Sequence, residues 1–314
     1  MSARASGFHK SAGLLDIESL DRNEIEAILE RARFFQPPPN ETYRRLDSLR
    51  GKTIVNLFFE ASTRTRISFE LAAKRLSADT LNIAVNVSST SKGETLLDTA
   101  RNIEAMNVDA MVVRHSSSGS VFLLAEGLKC SVVNAGDGCR EHPTQALLDM
   151  FTLQDKFGHI EGLKVGIVGD ILHSRVARSN IWGLTKLGAK VTVCGPATLM
   201  PRGIEDLGVD VCYDLKKVLK QSDAIIALRL QKERQQDKFL PSMREYSRLF
   251  GINQAKLNEG NDHLIVMHPG PTNRGVELSA DVADGKQSVI LDQVTNGVAV
   301  RMAVLYLVLG TKTE

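Results

Sequence analysis

At 314 residues the chain is too long for one small core and suits two compact domains. Hydrophobic residues at 43%, charged residues at 24% and a net charge of +2 exclude a disordered or fibrous protein, and a general nucleic-acid or membrane-surface binder. The four cysteines, Cys130, Cys139, Cys194 and Cys212, lack CxxC spacing and nearby histidine pairs, so they read as free thiols of a reducing compartment with no metal site.

Met1 to Ser11 is polar and has no apolar signal-peptide core, which predicts a cytoplasmic protein. Asp21 and Glu24 stand in capping-box spacing, and Ile25, Ile28, Leu29 and Ala32 then recur at helical intervals, predicting a helix to Phe35. Thr53 to Phe59 is a short apolar run of buried-strand type, followed by a loop and a helix carrying Phe69, Ala72, Ala73 and Leu76 on one face. The same alternation predicts strands Asn82–Val87, Ala110–Val113 and Ser131–Asn134, with helices Thr95–Met106, Val121–Leu128 and Pro143–Phe157. Around Gly158 the chain turns polar and a second series begins: strand Lys164–Val168, helix Val176–Leu187, strand Lys190–Cys194, then strands Ala224–Leu228 and Leu264–Met267. The polar stretch Gln231–Asn261 between the last two reads as a lid or as a passive surface loop. Val298–Leu309 is apolar but interrupted by Arg301 and too short to span a bilayer, so it is expected to be a docked helix.

The expected architecture is therefore α/β, with two doubly wound domains, central parallel sheets and a cleft between them. Residues 1–157 form the first domain and 158–296 the second, with 297–314 returning to the first. In such sheets ligands bind beyond the carboxyl ends of the strands, where loops and helix N-termini present unpaired N–H groups. The loop Glu60–Arg66 brings three hydroxyls and two guanidinium groups to one helix start, a set that matches phosphate in charge and geometry; equally, Ser and Thr cap the helix and the arginines face solvent. Ser88–Glu94, Arg114-His115 and His142–Gln145 also follow strands, with Pro143 at a first helical position. In the second half, Asp170–Arg178, Arg229–Arg234 and His268–Pro271 do the same. Neither a Walker loop nor GxGxxG is present, which argues against a nucleotide or nicotinamide cofactor.

Four segments, STRTR at 62–66, KGET at 92–95, HPTQ at 142–145 and HPGPTNRG at 268–275, closely resemble the carbamoyltransferase family. RLQKER at 229–234 and HPGP resemble its aspartate branch, whereas an ornithine-type member would show a Cys-bearing HCLP. The resemblance implies condensation of carbamoyl phosphate with L-aspartate in pyrimidine biosynthesis, without a cofactor, by a homotrimer with shared active sites. Regulatory or dihydroorotase-like partner chains belong to the same expectation; nucleic acid and membrane do not. By resemblance, Ser62, Thr63, Arg64 and Thr65 cradle the phosphate together with Arg114. Thr65, Arg114 and His142 polarise the carbamoyl oxygen, and Gln145 holds the carbamoyl amino group. Arg175, Arg229 and Gln231 bind the aspartate carboxylates, and Lys92, with Ser88, Ser89 or Ser91, reaches a neighbouring subunit's site. Gly270, with Pro271, offers a backbone carbonyl to the substrate amine. Glu60 matches a position linked to Arg175 and Arg234 in the family, or is simply an exposed acid near a cationic loop. The competing readings are an enzyme for ornithine or a related amino acid, and a catalytically silent partner subunit.

Overall fold

The structure, a computed structural model, describes residues 13–38, 41–84, 94–230 and 242–310. The chain forms two compact units, Met1–Leu148 with Thr295–Glu314, and Asp149–Val294. The first division falls within a helix, Pro143–Phe157, ahead of the polar turn at Gly158.

In the first unit β1 (Gly13–Leu14), β2 (Thr53–Phe58), β3 (Asp79–Ala84), β4 (Ala110–His115) and β5 (Ser131–Asp137) pair in the order β1-β5-β4-β2-β3, every pair parallel. Helices α1 (Arg22–Phe35), α2 (Thr63–Arg75), α3 (Leu96–Glu104), α4 (Ser120–Gly127) and α5 (Pro143–Phe157) alternate with them. The local chemistry explains the boundaries. Asp21 accepts from the Glu24 N–H at 2.8 Å while the Glu24 carboxylate accepts from the Asp21 N–H at 2.9 Å, a closed capping box at the start of α1. Thr95 and Asp98 repeat the device on α3. Val55, Leu57, Met111, Val113 and Val132 from the sheet pack with Ala100 and Ile103 of α3 and Val121 and Leu124 of α4. Each large side chain so buried contributes about 1.5–3 kcal/mol.

β3 begins at Asp79 rather than Asn82, because an edge strand needs no continuous apolar run, and Val85–Val87 lie outside the described residues. β1 is too short to leave a periodic pattern in sequence. It exists because Gly13, at φ +94°, lies so close to Val132 that a Cβ would collide with the Val132 carbonyl oxygen.

The second unit repeats the plan with β6 (Lys164–Val168), β7 (Lys190–Cys194), β8 (Asp210–Cys212), β9 (Ala224–Ala227) and β10 (Ile265–Met267), in the parallel order β10-β9-β6-β7-β8. Its helices are α6 (Arg175–Lys186), α7 (Leu215–Gln221), α8 (Met243–Phe250), α9 (Gln254–Leu257), α10 (Ala280–Ala283) and the start of α11 (Ile290–Leu309), whose remainder from Thr295 belongs to the first unit. The stretch read as lid or loop is in part regular: α8 and α9 occupy it, and Tyr246, Phe250 and Leu257 enter the core beside Val168, Ile225 and Val266. Among the described residues no helix is long and apolar enough to cross a membrane.

Both sheets reverse direction at one place. From β2 the chain adds β3 on one side and then β4 on the other, and from β6 it adds β7 and β8 on one side and then β9 on the other. Loops leaving the two strands at such a switch point diverge to opposite faces and leave a crevice beyond the strand ends.

Candidate active site

The first switch point, between β2 and β4, receives the sequence-predicted anion cluster. α2 starts immediately after β2 with Ser62 as N-cap, yet the Ser62 side chain makes no capping bond and the first turn carries no acid. Arg64 and Arg66 occupy that turn instead, and Thr65 is buried. A helix start leaves N–H groups without intrahelical partners and a partial positive charge, so added guanidinium groups there disfavour the helix and favour an anion. Ser62 thus does not cap the helix as the alternative reading required, while Arg64 is exposed as that reading expected.

Arg114 is the penultimate residue of β4, in register with Phe58 of β2. Its carbonyl accepts from the Phe59 N–H at 2.9 Å, so strand pairing continues to the rim. The guanidinium is held from two sides: Nη1 donates to the Ala135 carbonyl at 3.1 Å and Nε lies 3.4 Å from Glu60 Oε2. Glu60 is thus an acid that orients a cation of the cluster within its own unit. Next to it, His115 Nδ1 accepts from the Ser117 N–H at 2.9 Å, which assigns the proton of the neutral ring to Nε2. Burial pushes this imidazole below its ordinary value, outweighing the opposite pull of Glu60 and Asp137.

β5 lies beside β4 and delivers the third loop. His142 and Gln145 are buried at the start of α5, where the His142 carbonyl accepts from the N–H groups of Gln145 at 3.0 Å and Ala146 at 3.2 Å. Pro143 sits at the first helical position, which needs no N–H donor. Asp137, fully buried at the end of β5, ties the rim together: it accepts from Gly119 N–H at 2.8 Å, Asn134 Nδ2 at 3.0 Å and Glu141 N–H at 3.2 Å. Asp137 is not among the residues expected at the site; its only mark in the sequence is an acid ending the apolar run of β5. Ser62, Thr63, Arg64, Thr65, Arg114, His142 and Gln145 therefore share the carboxyl edge of three neighbouring strands.

The second switch point, between β6 and β9, is built alike. Gly169 leaves β6 at φ +135°, where a Cβ would press on Leu228 and on the Tyr246 hydroxyl, each 3.1 Å away. Asp170 follows, fully buried, and accepts from the His173 N–H at 3.1 Å and contacts His173 Nδ1 at 2.9 Å. Ser174 caps α6 by accepting from Ala177 N–H at 3.1 Å, and Arg175 opens that helix at 3% exposure. A guanidinium at a helix N-terminus adds to the positive end of the dipole, a charge that suits an anionic ligand. Arg178, one turn on, faces solvent.

Arg229 follows β9 and is half-buried. After β10 comes His268-Pro269-Gly270-Pro271, with Gly270 at φ +64°, a cis bond to Pro271, and its N–H donating to His268 Nδ1 at 2.7 Å. Arg175, Arg229, Gly270 and Pro271 so occupy the ends of three adjacent strands in the second sheet. Ser88, Ser89, Ser91, Lys92, Gln231 and Arg234 lie outside the described residues.

Each edge can hold an anion: the first offers hydroxyls, N–H groups and guanidinium groups suited to a phosphate, the second two arginines suited to carboxylates. Residues 13–155 match the description "Aspartate/ornithine carbamoyltransferase, carbamoyl-P binding domain" and residues 161–308 match "Aspartate/ornithine carbamoyltransferase, Asp/Orn binding domain". An aspartate carbamoyltransferase catalytic subunit from Gemmatimonas aurantiaca is 58% identical over 96% of this chain and 94% of its own length. That of Desulfotalea psychrophila is 58% identical over 95% and 93%. The crystal structure of aspartate transcarbamoylase from Trypanosoma cruzi, in complex with carbamoyl phosphate and aspartate, superposes with a TM-score of 0.87 at 31% identity, covering 96% of this chain and 97% of that one.

Proposed function

Because the chain belongs to the aspartate/ornithine carbamoyltransferase family, we propose that it transfers the carbamoyl group of carbamoyl phosphate to the amine of L-aspartate, giving N-carbamoyl-L-aspartate and phosphate for pyrimidine biosynthesis. The observation that carries this reading is the pair of cation clusters at the two topological switch points, one fitted to phosphate and one to carboxylates.

Carbamoyl phosphate binds with its phosphate on Ser62, Thr63, Arg64 and Thr65, and Arg114 beside it. Aspartate binds through its carboxylates to Arg175, Arg229 and Gln231, with the Gly270 carbonyl, next to Pro271, orienting the amine. The neutral amine attacks the carbamoyl carbon, and a C–N bond forms as the carbonyl oxygen takes on negative charge. Thr65, Arg114 and His142 hold that oxyanion, while Gln145 fixes the carbamoyl amino group. Collapse breaks the bond to the phosphate oxygen, and the departing phosphate accepts the amine proton, so no protein base and no covalent intermediate is required. Much of the rate comes from holding two anionic reactants together against their repulsion.

Lys92, with Ser88, Ser89 or Ser91, completes a neighbouring subunit's site in a cytoplasmic homotrimer. Supporting a second copy, Ile67 and Leu71, one turn apart on α2, and Leu81 on the edge strand β3 expose 46%, 40% and 55% of their surfaces. The test is product formation by the purified chain, with aspartate and ornithine offered in parallel and a bisubstrate phosphonate as inhibitor. Turnover with aspartate alone, suppressed by the inhibitor, is expected; turnover with ornithine alone would reassign the chain, and none with either would favour a silent subunit.

A further inference from the structure

The second unit contains a chain of hydrogen bonds, buried at its centre, that the mechanism above does not use. At its centre Asp149, fully buried, accepts from Gln293 Nε2 at 2.8 Å on one oxygen and from Asn180 Nδ2 at 2.8 Å on the other. Gln293 turns its carbonyl oxygen to the His268 N–H at 2.9 Å. His268 Nδ1 accepts from the Gly270 N–H at 2.7 Å, and its Nε2 lies 3.3 Å from Oε1 of buried Glu277, which also accepts from the Asn273 N–H at 2.5 Å. At the other end, Asn180 donates to the Val176 carbonyl at 3.0 Å on α6, the helix that Arg175 opens.

A buried carboxylate is costly, and apolar packing of the same volume is often as stable or more so. What a polar chain adds is directionality: each bond has a fixed donor and acceptor, so each residue admits one orientation. This chain runs from the loop that holds Gly270 to the helix that holds Arg175, two groups assigned to aspartate and far apart in sequence. We propose that Asp149 and Gln293 are positioning residues for aspartate, setting Gly270 in register with Arg175. The inference rests on the functional reading above, since that reading makes Gly270 and Arg175 aspartate ligands.

The donor pattern supplies the test. Asp149→Asn sets an amide NH2 against Gln293 Nε2 or Asn180 Nδ2, donor against donor. Gln293→Glu sets carboxylate against carboxylate. In the double variant D149N/Q293E the bonds between these residues return: the new amide donates to the new carboxylate and accepts from Asn180, and the second carboxylate oxygen still accepts from His268. Steady-state kinetics on the full chain, varying each substrate in turn, reads the outcome. Asp149→Asn is expected to raise the KM for aspartate about tenfold while that for carbamoyl phosphate stays within about twofold. D149N/Q293E should restore the aspartate KM to within about twofold of wild type. An unchanged aspartate KM in D149N, an equal rise in both constants, or a double variant no better than the single would overturn the inference. If D149N does not fold, Asn180→Ala, which removes the donor to Asp149 at the other end of the chain, takes its place, with the same selective rise expected and an absent or unselective effect refuting it. Wild type without turnover on aspartate would overturn the functional reading and this inference together, whereas active wild type beside an insensitive D149N overturns the inference alone.

Discussion

Replacing Arg114 by alanine separates structural from catalytic roles, because the residue has both a protein partner and an assigned substrate. Its Nε stands 3.4 Å from Glu60, a gross attraction of about 5 kcal/mol at an effective dielectric of about 20. The side chains are 12% and 25% exposed, so desolvation and screening reduce the net to about 1–2 kcal/mol. Toward carbamoyl phosphate, two charge-assisted bonds at about 1.5–3 kcal/mol each amount to about 3–6 kcal/mol in the transition state. The catalytic effect wins, and kcat/KM for carbamoyl phosphate should fall by about 10²–10⁴-fold with a melting temperature lowered by only a few degrees. Steady-state kinetics and a thermal melt of Arg114→Ala decide the matter. A loss under about tenfold in kcat/KM, or a melting temperature that collapses together with activity, would refute the reasoning.

Arg64→Ala should abolish most turnover and leave the melting temperature within a few degrees of wild type; near-normal turnover would count against the phosphate cradle. Arg229→Ala should raise the KM for aspartate about tenfold or more and spare that for carbamoyl phosphate, as separate substrate titrations would reveal. His115 carries a pH signature. Its folded pKa is held below the ordinary 6.5 by burial, so the unfolded chain takes up the proton first as pH falls. Its contribution to stability is therefore complete above about 6.5 and declines as pH drops through that value toward the folded pKa. Melting temperatures across that window should slope less in His115→Gln than in wild type, and parallel slopes would exclude His115 as a cause.

Where local chemistry dictates structure, the chain could be read directly. The Asp21–Glu24 capping box, Pro143 at the first turn of α5 and the apolar runs of β6 and β7 each carry their signal within a few residues. The cation clusters were legible for the same reason, since each trails a strand. What escaped depends on partners distant in sequence. β1 exists through the approach of Gly13 to Val132, and α8 is a charged segment whose Tyr246 and Phe250 are recruited by a core assembled elsewhere. The bond between Asp149 and Gln293 spans 144 positions and leaves no local trace. That the two halves share one topology, and so the same kind of switch point, could be anticipated from alternating elements but not located, because strand order is set by pairing and not by pattern.

The bare start of α2 bears on how such a protein could be stabilised. Installing Asp at position 62 in place of Ser62 is the substitution a helix-dipole argument would choose, worth about 0.3–1 kcal/mol from the added charge. It would also put a resident anion where the substrate's phosphate is assigned. A screen for thermal tolerance would reward that change and a screen for growth on limiting pyrimidine would discard it, so the disagreement between the two screens at this position measures how much stability the fold forgoes to keep one helix end open.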